Sequence, residues 1–126
     1  MTTADIESLH QQIASAIHRT LPGNFSEAHV TAKMITRHIE LQGKYLTNGS
    51  SRPTSFLPEE GMESLLEALR ALMAKTSPGK GAWYTAVITL KDDGSFSFAF
   101  DYDQRPDFQY SPSQDKWDED QRTFPR

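Results

Sequence analysis

The sequence predicts an α+β domain: an antiparallel sheet of about four to five strands, covered on one face by two amphipathic helices, with a short C-terminal helix or tail. Three observations carry this. Two segments repeat apolar residues at three- and four-residue steps, as a helix with one buried stripe requires. Other segments alternate with period two, as strands with one buried face do. These period-two runs adjoin one another and do not alternate with crossover helices, which favours an antiparallel sheet. A chain of 126 residues fits one domain over 1–126 and can bury roughly two thirds of the surface its unfolded form exposes.

The first helix is expected over Thr3 to Leu21, where Ile6, Leu9, Ile13, Ile17 and Leu21 form the stripe and Pro22-Gly23-Asn24 stops it. From Phe25 the period changes to two. Ala28, Val30, Ala32 and Met34 mark one strand; Ile39, Leu41 and Tyr45 mark the next, although Thr36-Arg37-His38 is a poor turn sequence. Asn48-Gly49 is a strong turn signal, Ser50 to Ser55 reads as loop, and Phe56-Leu57 as a short edge strand. Pro58 to Lys75 follows the helical template through Met62, Leu65, Leu66, Leu69, Leu72 and Met73, with Pro58 and Glu59, Glu60 and Glu63 suited to a helix start. Ser77-Pro78-Gly79 ends it. Ala82 to Leu90 and Ser95 to Asp103 then make a hairpin around Asp92-Asp93-Gly94. In the tail, 112–126, a short helix around Lys116 to Arg122 is expected, with Trp117 and Phe124 as its few apolar anchors; a less ordered tail is the alternative.

Composition removes several function classes. There is no cysteine, hence no disulfide, thiolate metal site or cysteine nucleophile. The N-terminus lacks the basic head and apolar run of a signal peptide, and no window approaches the ~18 apolar residues of a membrane span, so a cytoplasmic protein with no membrane partner is expected. Neither a P-loop, a G-x-G-x-x-G nor a G-x-S-x-G elbow occurs, and no cofactor is expected. His10 and His18 lie eight apart, outside the spacing of a helical metal pair, and read as surface or flank residues. His29 and His38 show no carboxylate partner at a recognisable spacing. The net charge is −4, and from Asp101 onward seven acids face four bases, so −3 of it sits in the last fifth. That argues against nucleic acid as a partner and for a basic protein surface.

The aspartates of FSFAFDYDQRPD sharpen the question. Alternation puts Phe96, Phe98, Phe100 and Tyr102 on the buried face, and Asp101 and Asp103 outward with Cα atoms ~7 Å apart. As a metal site with Asp107, the segment lacks the glycine and closing glutamate of a calcium loop, and Arg105 intrudes. As an acid–base pair, Asp101 and Asp103 need burial to drive their pKa values apart, which an exposed strand end does not supply. As a solvated face, they keep a sheet edge from pairing. A binding surface is that same solvated face plus a partner, and alternation does not separate the two.

The chain also resembles the YezG-like family of bacterial immunity proteins, the antitoxins of polymorphic secreted toxins. The likeness rests on an N-terminal helix followed by two strands, on PEEGMESLLEALRALM, and above all on AWYTAVITLKDDGSFSFAFDYD, followed by Ser111-Pro112 and Trp117. It covers most of the chain in order and is sharpest over 82–117. It implies a non-enzymatic protein that binds and neutralises a cognate toxin domain, often a nuclease with a basic cleft. With charge location and strand parity, the expected contact residues are Asp101, Asp103, Asp107, Asp118, Glu119 and Asp120, with Tyr110 and Trp117 as anchors. A small metal-binding enzyme using Asp101 and Asp103, or an adaptor unrelated to toxins, is the alternative.

Overall fold

The protein was analysed as a computed structural model, which describes residues 3–76 and 81–125, with side chains from 5 onward. Its elements run α1 (Thr3–Arg19), β1 (Phe25–Ile35), β2 (His38–Thr47), β3 (Thr54–Phe56), α2 (Met62–Thr76), β4 (Thr85–Lys91), β5 (Phe96–Asp101) and α3 (Gln114–Thr123). The strands form one antiparallel sheet in the order β3-β2-β1-β4-β5. The expected α+β class and strand count hold. The expected stop at Ser77-Pro78-Gly79 falls on residues outside those described.

The period-two pattern sets which face is buried. Val30, Ala32 and Met34 on β1 stand opposite Gly43, Leu41 and Ile39 on β2, and Val30 and Ala32 opposite Ile88 and Ala86 on β4. These side chains meet Ile13, Ala16 and Ile17 of α1 and Met62, Leu66 and Leu69 of α2 around the fully buried Trp83. Burial of each large side chain contributes about 1.5–3 kcal/mol, which is what holds both helices on this face. Phe98 and Phe100 of β5 join the same core, and the His10 ring stacks on Phe98 with centroids 4.2 Å apart. Burial lowers the pKa of His10, so it sits there neutral at physiological pH.

Several starts differ from the sequence reading: β3 begins at Thr54 and not Phe56, β4 at Thr85 and not Ala82, and α2 also starts late. α2 begins at Met62 and not at Pro58, because Gly61 takes a left-handed φ of 93° that a helix does not contain. Glu59, in the loop before α2, forms a two-pronged pair with Arg19 at the end of α1, at 2.6 and 3.0 Å. The β1–β2 turn places Arg37 at φ 62°, a conformation a non-glycine residue enters only with support from its surroundings. That support comes from the C-terminal segment.

The short helix expected around Lys116 to Arg122 is present and runs slightly further at both ends. Residues 114–123 form α3, which closes over the turn end of the sheet. Ile35, Tyr84 and Phe108 make a second apolar cluster there, with Trp117 packed on it. Beside it, Arg70 of α2 and Asp120 of α3 form a buried ion pair, 2.6 and 3.1 Å between its two nitrogen–oxygen contacts. Among the described residues no helix is long and apolar enough to cross a membrane.

Candidate partner-binding surface

The sheet face away from α1 and α2 is polar and largely open. On it, register aligns Glu40, Lys33, Thr85 and Asp101 in one row across β2, β1, β4 and β5. The chain leaving β5 is fastened along this row by its own backbone. The Asp101 carboxylate accepts the N–H groups of Asp103 and Gln104 at 2.9 and 3.0 Å, turning the chain back over the sheet. Lys33 Nζ then donates to the Asp107 carbonyl at 2.8 Å. The Glu40 carboxylate accepts the N–H groups of Gln109 and Tyr110 at 2.7 and 2.9 Å. Phe108 points inward and meets the His38 ring edge-on, 4.6 Å between centroids.

Fixed this way, 102–110 borders a groove of about 490 Å³ lined by Thr31, Lys33, Glu40, Gln42, Asp107 and Tyr110. The Tyr110 side chain stands at its rim, 70% exposed. A tyrosine ring, apolar in its body and polar at its tip, on a backbone this well pinned is suited to serve as an anchor for a partner.

The titrations follow the hydrogen bonds. For Asp101, N–H donation from Gln104 and then Asp103 holds the carboxyl below its ordinary range. For Glu40, partial burial pushes the pKa up, but the N–H groups of Tyr110 and Gln109, with His38 beside them, outweigh it and leave it lowered. Both groups are therefore fixed anions at neutral pH, suited to accepting hydrogen bonds and unsuited to giving up a proton. Among the described residues no three His, Asp or Glu side chains are grouped so that they could hold a metal ion.

The expected contact residues separate into two sets. Asp101, Asp103, Asp107 and Tyr110 are all exposed along the segment that crosses the sheet end, and Asp118 is exposed on α3. Asp120 is not a surface residue at all: it is fully buried and accepts hydrogen bonds from Arg70, from the Thr36 N–H and from Thr36 Oγ1. Glu119 is tied to Arg37 at 2.6 Å. Trp117 lies half-buried against Phe108, with the Arg105 guanidinium 4.9 Å above its ring. Counting charge along the chain missed this, because it cannot see which acids meet a base across the fold.

Glu40 and Lys33, the residues that staple the segment, were not singled out by the sequence. His29 and His38 do have carboxylate partners, against the sequence reading: His29 lies 2.9 Å from Glu27 and His38 3.5 Å from Glu40. Both pairs are two apart on one strand, which places their side chains on the same face, and that spacing was a readable signal. No protein-family model matches the chain, and no curated protein matches it significantly.

Proposed function

We propose that this protein acts by binding another protein, as an immunity protein that neutralises a cognate toxin domain in the cytoplasm, without catalysis of its own. The observation that supports this reading most is Tyr110: an exposed ring on a backbone locked by Glu40, flanked by Asp107 and the groove. Aromatic anchors of this kind carry a large share of binding energy at protein interfaces. Around it Asp101, Asp103 and Asp107 keep an acidic border facing solvent. Such a border suits a basic partner, such as the substrate cleft of a nuclease toxin, and steers its approach. The resemblance of 82–117 to the YezG-like immunity proteins supports a toxin domain as that partner.

Asp103 and Asp107 are the acids to reverse, since Asp101 also holds its own turn. The experiment is calorimetry, at low and moderate salt, against any toxin domain that a neighbouring gene encodes. Asp103→Lys with Asp107→Lys is expected to weaken binding about tenfold or more and to flatten its salt dependence, a loss on the order of 1.4 kcal/mol. Tyr110→Ala is expected to cost about 2 kcal/mol or more. Wild-type affinity in both variants retires this surface, and a genomic neighbourhood without any toxin gene favours the adaptor alternative.

A further inference from the structure

The two edges of the sheet are built differently. β3 at one edge is only three residues long, between Pro53 and Pro58, a common way to blunt an edge. β5 at the other edge is six residues long, Phe96–Asp101, and carries no charge or proline before its last residue. Its backbone directions follow from the β4 side. The carbonyls of Ser95 and Asp101 accept N–H bonds from Lys91 and Tyr84, so the odd positions face inward. By the two-residue period, the N–H and C=O groups of Phe96, Phe98 and Phe100 face out from the free edge. No bond from these groups to another part of the chain occurs among the described residues.

We propose that β5 pairs with β5 of a second copy of this chain, antiparallel and centred on Phe98, so that one sheet runs through both copies. The sequence of the strand fits itself in that register. Phe98 meets its own counterpart, and Phe96 meets Phe100 of the second copy, all at positions whose backbone groups point outward. The exposed Phe96 ring, the one aromatic of β5 that the core leaves 37% open, gains an aromatic cross-strand neighbour. Ser97 falls opposite Ala99, two small side chains on the polar face at a pair where side chains approach most closely. Asp101 falls opposite Ser95, so no carboxylate meets a carboxylate within the paired strands. Charge placement thus permits this register, and the two-fold axis closes the assembly without leaving a β5 edge open. The pairing does not rest on the immunity reading.

Analytical ultracentrifugation of the full chain over a concentration series tests it, with hydrogen exchange read at Phe96, Phe98 and Phe100. The wild type is expected to pass from monomer to dimer, with slower exchange at those amides as it does. Ser97→Lys with Ala99→Lys changes only exposed side chains of the outer face, and it sets like charges opposite each other across the two-fold axis. That variant is expected to remain monomeric where the wild type is dimeric. Ser97→Glu with Ala99→Lys sets opposite charges there and is expected to restore the dimer. A wild type that stays monomeric throughout overturns the proposal, as does a double-lysine variant that dimerises normally. Failure of the Glu/Lys variant to recover overturns the register.

Discussion

Asp120 is a charge removed from water, and its energetics depend on what replaces the water. Arg70 meets both its oxygens, Thr36 gives it two further donors, and Phe124 lies 5.0 Å from the guanidinium. Removing one partner strands the other, so Asp120→Ala is expected to lower stability by about 3–5 kcal/mol in urea unfolding. Replacing both, as Arg70→Met with Asp120→Leu, should cost far less, since the site then closes with apolar side chains. Burial pushes the Asp120 pKa up, but Arg70 and Thr36 overcome it and the pKa is lowered. A carboxyl lowered by folding stabilises above its unfolded pKa and loses that contribution as pH falls through the folded one. Stability should therefore decline from about pH 4 downward, and the double variant should decline less. An identical acid profile in the two proteins would show that this pair does not govern it. The residue was partly legible: Trp117, Asp120 and Phe124 are spaced as one helical face, and Arg70 falls on the α2 stripe between Leu66 and Met73. A charge on each apolar stripe signals a mutual partner, whereas a tally of acids along the chain does not.

Among the elements, β3 depends on one position of its neighbour. Gly43 lies on the core face of β2 between Leu41 and Tyr45, opposite Phe56. A Cβ there would stand 2.7 Å from the Phe56 ring and 2.9 Å from its carbonyl oxygen, too close to a backbone atom to be accommodated by a side-chain rotation. Gly43→Ala should therefore push β3 away, costing about 1–3 kcal/mol and speeding amide exchange over Thr54–Phe56. Full stability and unchanged exchange would mean β3 docks by other contacts. The long elements were readable because burial repeats along them: the β1, β2, β4 and β5 alternation and the α2 stripe from Met62 to Met73 all stand. What was hidden was not the elements but the contacts, distant in sequence, that hold them. The turn at Thr36-Arg37 lacks turn chemistry of its own and is held by Asp120 and Glu119, and α3 has few apolar residues because a buried ion pair anchors it. The stapled segment 102–110 was invisible for the same reason, since Glu40 is far from Tyr110 in sequence and adjacent to it only in the fold.

At the scale of the whole molecule, the question is whether α3 and the outer cluster form part of the main cooperative unit. They touch the sheet from the other side, around Ile35, Tyr84 and Phe108, while α1 and α2 enclose Trp83. Two links join them. Arg70 donates to the Trp83 carbonyl at 2.6 Å as well as to Asp120, so one side chain ties α2, the entry to β4 and α3 together. Tyr84, adjacent to Trp83, packs in the outer cluster and its hydroxyl accepts from Gln121 of α3 at 3.1 Å. Opening α3 would thus leave a buried guanidinium unpaired beside the main core, which couples the two regions by several kcal/mol. The chain supplies its own reporters, because one tryptophan sits in each cluster. Trp117→Phe leaves Trp83 to report the inner core, and Trp83→Phe leaves Trp117 to report the outer one. In each variant the fluorescence transition in urea is expected to coincide with the loss of far-ultraviolet circular dichroism, as all-or-none unfolding requires. Trp117 fluorescence changing at distinctly lower urea than the dichroism would instead make α3 a separately melting flap.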